Sequence, residues 1–111
     1  MSEHNGGCHC GKVKFTAKDP IISVACNCRR CRKFSGSLHL GVIFSEENFS
    51  VDGELSSYEY VGGSGNRVNS KFCGICGCKI YSKAELFEGL VSVKLGVLDD
   101  ALDSPANGSV Y

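Results

Sequence analysis

Apolar and polar residues alternate along much of this chain at the period of a half-buried strand. Val13, Phe15 and Ala17 are interleaved with Lys12, Lys14, Thr16 and Lys18, so an extended segment there has one apolar and one charged face. Asp19-Pro20 turns the chain into Ile21-Ile22-Ser23-Val24-Ala25, a short apolar strand that delivers Cys26. Residues 32–36 predict a helical turn stopped by Gly36. Further strands are predicted over 38–44, 49–51, 55–61, 67–72 and 79–82, divided by a charged loop at 45–48 and by the glycines at 53 and 62–65. From 90 to 98 the alternation returns, with Leu90, Ser92, Lys94, Gly96 and Leu98 opposed to Val91, Val93, Leu95 and Val97. His4 is expected to lack fixed structure, and Asp99-Asp100 begins a turn-rich tail. The sum is a mainly β protein with little helix, whose 14 glycines serve turns and metal-binding loops.

At 111 residues, with no repeat and no linker, residues 1–111 read as a single domain. A core of that size is modest, and metal ions are a common supplement to it. Basic and acidic residues balance at 12 each, so bulk attraction to nucleic acid is not expected. No apolar run approaches the roughly 18 residues of a membrane span. The polar residues 1–7 do not resemble an export signal. These features imply a reducing, cytoplasmic setting, in which clustered cysteines read as metal ligands or catalytic thiols rather than as disulfides.

Seven of the eight cysteines fall into tight groups: Cys8-His-Cys10, Cys26-Asn-Cys28-Arg-Arg-Cys31 and Cys73-Gly-Ile-Cys76, with Cys78 two positions further on. Such knuckles aim neighbouring sulfurs at one point, and a soft divalent cation takes sulfur ligands at about 2.3 Å. Seven ligands predict two zinc ions per chain. One partition gives a closed structural site of Cys8, Cys10, Cys73 and Cys76, tying the first strand to a late hairpin across roughly sixty residues, a long loop to close. It leaves Cys26, Cys28 and Cys31 on a second zinc with an open position, the pattern of catalytic zinc. Another partition joins Cys28 and Cys31 to Cys73 and Cys76 as a zinc ribbon, leaving Cys8, Cys10, Cys26 and Cys78. Spacing does not decide between them.

Around the middle cluster, Arg29, Arg30, Arg32 and Lys33 supply four cations that offset the thiolates and are candidates to grip an anionic substrate. Other polar candidates read as structural. His9 points outward from its knuckle, His39 is a packed strand residue, Tyr58 and Tyr60 are packing on one strand face, and Cys78 is a buried small hydrophobe.

Three ordered segments carry a resemblance: 7–15 (Gly-Cys-His-Cys-Gly-Lys-Val-Lys-Phe), 26–36 (Cys-Asn-Cys-Arg-Arg-Cys-Arg-Lys-Phe-Ser-Gly) and 72–77 (Phe-Cys-Gly-Ile-Cys-Gly), followed by Val97-Leu-Asp-Asp100. Together they resemble the glutathione-dependent formaldehyde-activating enzyme family (GFA), which includes centromere-protein-V-like (CENP-V) members. The resemblance implies a β-tent fold of packed antiparallel sheets. It implies the first partition, with structural zinc on Cys8, Cys10, Cys73 and Cys76 and the second zinc on Cys26, Cys28 and Cys31. It also implies carbon–sulfur lyase chemistry, joining glutathione to formaldehyde to give S-hydroxymethylglutathione. Asn27 stands where members often carry His, and members usually continue beyond the Leu-Asp-Asp turn. Two other readings of the same cysteines are a non-catalytic zinc module that binds protein or nucleic acid, and a thiol redox sensor.

Overall fold

The alternating stripes become strands of two antiparallel sheets. The structure, a computed structural model, describes residues 3–63 and 65–99. β1 (Glu3–Gly7), β2 (Lys14–Lys18) and β5 (Phe49–Asp52) form a three-stranded sheet in the order β1-β2-β5. β3 (Ile22–Cys26), β4 (His39–Ser45), β6 (Leu55–Val61), β7 (Arg67–Cys73), β8 (Lys79–Ala84) and β9 (Leu90–Lys94) form a second sheet in the order β3-β4-β9-β8-β7-β6. One α-helix, α1 (Arg29–Ser35), joins β3 to β4.

The core lies between the sheets. Val13, Phe15 and Ala17 of the β2 segment meet Val42, Phe44, Val91 and Val93 of the large sheet, all of them buried. Register sets this face: Val42 stands opposite Val93, and Phe44 opposite Val91. Because strand side chains alternate, the same ladders send a different set to the other face of the large sheet. There Cys26 pairs with His39, Gly41 with Lys94, Ser82 with Ser92, Ser70 with Ser82, and Tyr58 with Ser70. The ring of Phe34 from α1 packs on this polar face, 4.7 Å from the Tyr60 ring and 5.7 Å from that of Tyr58. A register shift between Lys71 and Phe72 bends β7 against β8 just before the Cys73 turn.

Four expectations need correction. His4 is not unstructured: it lies in β1, which pairs with β2 along all five of its residues, and its ring is edge-on to Phe44. Backbone pairing needs no apolar side chain, so a Gly-rich edge strand escapes an alternation test. Gly6 also bridges to Leu98 and Asn5 accepts from the Asp99 N–H at 2.8 Å, which ties β1 to the end of the large sheet. The alternating segment 90–98 is a strand only to Lys94, after which Leu95–Val97 forms a 3-10 turn closed by the Leu98 N–H to the Leu95 carbonyl. Helix α1 begins at Arg29 rather than Arg32, because the Cys28 thiol caps it by accepting from the Cys31 N–H. The charged loop at 45–48 contains a 3-10 turn, Glu46–Asn48. Of the predicted turn-rich tail, Asp100 and residues 101–111 lie outside the described residues.

Phe44 is fully buried at the centre of the core. Phe44→Ala is expected to lower the unfolding free energy by about 3–5 kcal/mol in chemical denaturation. A change below about 1 kcal/mol would show that the sheets do not close on this residue.

Candidate metal centres

Each cysteine group occupies a strand end whose backbone is already folded toward a point. Cys8 and Cys10 follow β1 in a turn held by the Cys8 N–H to the Val13 carbonyl (3.1 Å) and the Gly11 N–H to the Cys8 carbonyl (3.2 Å). Cys73 ends β7, and Cys76 lies in a turn closed by the Gly77 N–H to the Cys73 carbonyl (2.8 Å). Gly11 and Gly77 end these turns with φ of 84° and 80°, a left-handed conformation that strains any residue with a Cβ.

The two turns meet. The sulfurs of Cys8, Cys10, Cys73 and Cys76 all lie within 4.8 Å of one another, with Cys8 to Cys10 at 3.5 Å and Cys10 to Cys73 at 3.7 Å. Four sulfurs on a tetrahedral zinc are roughly 3.8 Å apart, from bond lengths of about 2.3 Å. The donor set therefore fits zinc. The Val13 N–H also donates to the Cys8 sulfur at 3.3 Å. The backbone N–H of Cys10 and then that of Cys78 hold the Cys76 thiol down at about 5. Lys12 favours the Cys10 thiolate through its N–H, yet desolvation and the thiols of Cys8, Cys73 and Cys76 outweigh this and push Cys10 up to about 12. Crowded thiolates make one another's ionisation costly, and a divalent cation at their centre removes that repulsion.

The second group forms where β3 runs into α1. Cys26 ends the strand, Cys28 caps the helix and Cys31 lies in its first turn, with their sulfurs mutually within 4.8 Å. The Cys31 N–H donates to the Cys28 sulfur at 3.4 Å and, with the Cys31 thiol, lowers the Cys28 thiol to about 7. Burial, then its two thiol neighbours, push Cys31 up to about 12. Among the described residues no fourth cysteine, histidine or carboxylate joins this trio. The ribbon grouping of Cys28 and Cys31 with Cys73 and Cys76 is not the one the fold brings together.

Arg29, Arg30, Arg32 and Lys33 are all exposed on α1. Arg29, Arg30 and Lys33 line a shallow surface depression beside Cys28. On the inner side of α1 lies a polar cluster that sequence reading missed. Lys94 Nζ donates to Ser35 Oγ at 2.8 Å and lies 2.7 Å from His39 Nδ1, and both Lys94 and His39 are half-buried. With Lys94 as an ammonium, His39 accepts at Nδ1 and carries its own proton on Nε2. A cavity of about 60 Å³ is walled by Cys31, His39, Tyr60, Ser70 and Lys94. Burial, then Lys94, lower the His39 pKa; burial, then Lys79, lower that of Lys94. Lys94 looked like a solvent-facing member of an alternating strand, and only its pairing opposite Gly41 puts it beside α1.

The minor candidates divide. His9 is exposed, and Tyr58, itself exposed, stacks on half-buried Tyr60 at 5.9 Å. Cys78 is half-buried rather than buried, stands outside the four-sulfur group, and accepts from the His9 N–H at 3.3 Å. No disulfide joins any of the eight cysteines. No helix among the described residues is long and apolar enough to cross a membrane.

Two comparisons bear on this arrangement. A crystal structure of a Rhodobacter sphaeroides protein superposes with a TM-score of 0.72 at 20% sequence identity, over 93% of each chain, which shows a shared fold. The sequence profile of the glutathione-dependent formaldehyde-activating enzymes matches residues 3–111. With that match spanning nearly its whole length, the chain belongs to the glutathione-dependent formaldehyde-activating enzyme family.

Proposed function

We propose that this protein is a zinc-dependent carbon–sulfur lyase-type enzyme of the reducing cytoplasm, adding a thiol such as glutathione to formaldehyde or a related small carbonyl. The observation that carries this reading is the inequality of its two sulfur groups. Cys8, Cys10, Cys73 and Cys76 bring four sulfurs together, a number suited to structural zinc, whereas Cys26, Cys28 and Cys31 bring three together beside a cavity.

When bound to the trio, zinc would favour the ionised form of a visiting thiol, whose free pKa of about 8.5 leaves it mostly protonated at neutral pH. The chain's own residues would do the rest. α1 fixes Cys28 and Cys31 one helical turn apart, so the trio's geometry is set before any ligand arrives. The aromatic packing of Phe34 on Tyr60 walls one side of the cavity. His39, held in one tautomer by Lys94, shares the wall of the small cavity with Cys31. In the addition, a sulfur–carbon bond forms and the carbonyl π bond opens. The thiol proton leaves as sulfur attacks and ends on the new hydroxyl oxygen, passed by way of water. The cations of α1, Arg29, Arg30, Arg32 and Lys33, would draw an anionic thiol toward this face.

Two experiments test the reading. Metal analysis is expected to find two zinc ions per chain in wild type and one in Cys28→Ser, which stays folded. Cys76→Ser should lose the other ion together with the fold, because structural zinc supplies folding free energy directly. Equal zinc content in all three proteins would refute the partition. Initial rates of S-hydroxymethylglutathione formation, corrected for the spontaneous reaction, are expected to fall at least about 10-fold in Cys28→Ser. Indistinguishable rates would end the catalytic proposal.

A further inference from the structure

The surface cations of α1 are not the only ones near the three-sulfur group. A groove of about 780 Å³ runs between the C-terminal end of α1 and the 95–99 segment, bounded by Phe34, Leu38, Leu95 and Leu98, with Lys79 and Lys94 in its wall. That volume suits a small peptide or cofactor-sized ligand. Phe34, Lys79 and Lys94 also wall the small cavity that contains Cys31, so the groove leads to the sulfur trio.

Both lysines are fixed, and neither is neutralised. Lys94 commits two of its three N–H donors to Ser35 and His39, which leaves one free. Lys79 Nζ lies over the ring of Phe34 at 5.0 Å and of Phe72 at 5.3 Å. Among the described residues no carboxylate pairs with either lysine, although Asp99 lines the same groove. Two ammonium groups facing one recess, both anchored by neutral partners, form a place for an anion. Apolar walls on either side make an ion pair there stronger than one on the open face of α1.

We infer that Lys79 and Lys94 form the specificity site of this enzyme, binding a carboxylate of the thiol substrate in the groove beneath α1, while Arg29, Arg30, Arg32 and Lys33 only steer its approach. The inference rests on the thiol-addition reading and names the part of the substrate that reading left unassigned. It selects thiols that carry a carboxylate several bonds from sulfur, as a peptide thiol does, over simple aminothiols.

Binding of S-methylglutathione to the zinc-loaded protein tests this apart from catalysis. The probe keeps both carboxylates but cannot offer a thiolate to metal. Calorimetric titration is expected to show affinity reduced at least about 10-fold in Lys79→Met and in Lys94→Met, the loss of one charge-assisted bond. The double variant Arg29→Ala/Arg30→Ala should bind within about two-fold of wild type at 0.15 M salt, where exposed charges are screened. Lys79→Met touches only ring faces, so it guards against a fold defect in Lys94→Met; unchanged thermal unfolding and zinc content complete that control. Affinity equal to wild type in Lys79→Met, or loss of binding in the arginine pair instead, overturns the inference, as does absence of any wild-type binding. Lysine-dependent binding without turnover of glutathione and formaldehyde would leave the groove assignment standing and defeat the catalytic proposal alone.

Discussion

Thiols from far-apart stretches of chain converge on one point, and ionising them together carries a cost that a bound cation would remove. Cys8 and Cys10 come from the turn between β1 and β2, Cys73 and Cys76 from the turn between β7 and β8, and so the cluster joins the two sheets at one end. The same contacts that bring the sulfurs within 4.8 Å raise the cost of ionising the last of them, as the opposite displacements of Cys76 and Cys10 show. A cation that accepts all four turns a destabilising juxtaposition into a staple. In a chain of this size, whose buried core is short, such a staple matters more than any single apolar contact.

The two sulfur groups are linked through the sheet. Fixing Cys73 fixes the start of the β7–β8 turn, and the bulge beside it sets where Lys79 emerges on the outer face of the large sheet. Lys79 in turn faces Phe34, which seats α1, which carries Cys31. The four-sulfur and three-sulfur groups are therefore two ends of one packed path: turn, bulged strand, aromatic contact, helix. Lys94 and His39 close that path from the β9–β4 side and line the recess under the helix.

Much of this was legible in the residues. Alternation at Val13, Phe15 and Ala17, and at Val91 and Val93, identified the buried stripes, and the spacing of the cysteines marked both clusters. What alternation could not see is pairing that owes nothing to apolar side chains, hence β1, and curvature, hence the 3-10 turn at Leu95–Val97. Cysteine spacing alone left two partitions open, because a ribbon and a split pair of sites use the same knuckles; only the strand order separates them. The groove lysines were hidden for a related reason. Lys79 and Lys94 each look like an ordinary polar member of a strand, and they share a recess only once β8 and β9 stand side by side under α1.

Zinc K-edge X-ray absorption on the purified protein, before and after glutathione, most directly tests whether the central trio holds an ion with a free position. The account predicts two zinc ions per chain with a mean of about 3.5 sulfurs each, the remainder being light-atom ligands, rising toward four when glutathione is added. Full four-sulfur coordination before any thiol is supplied, or an absence of metal from the second group, would contradict it.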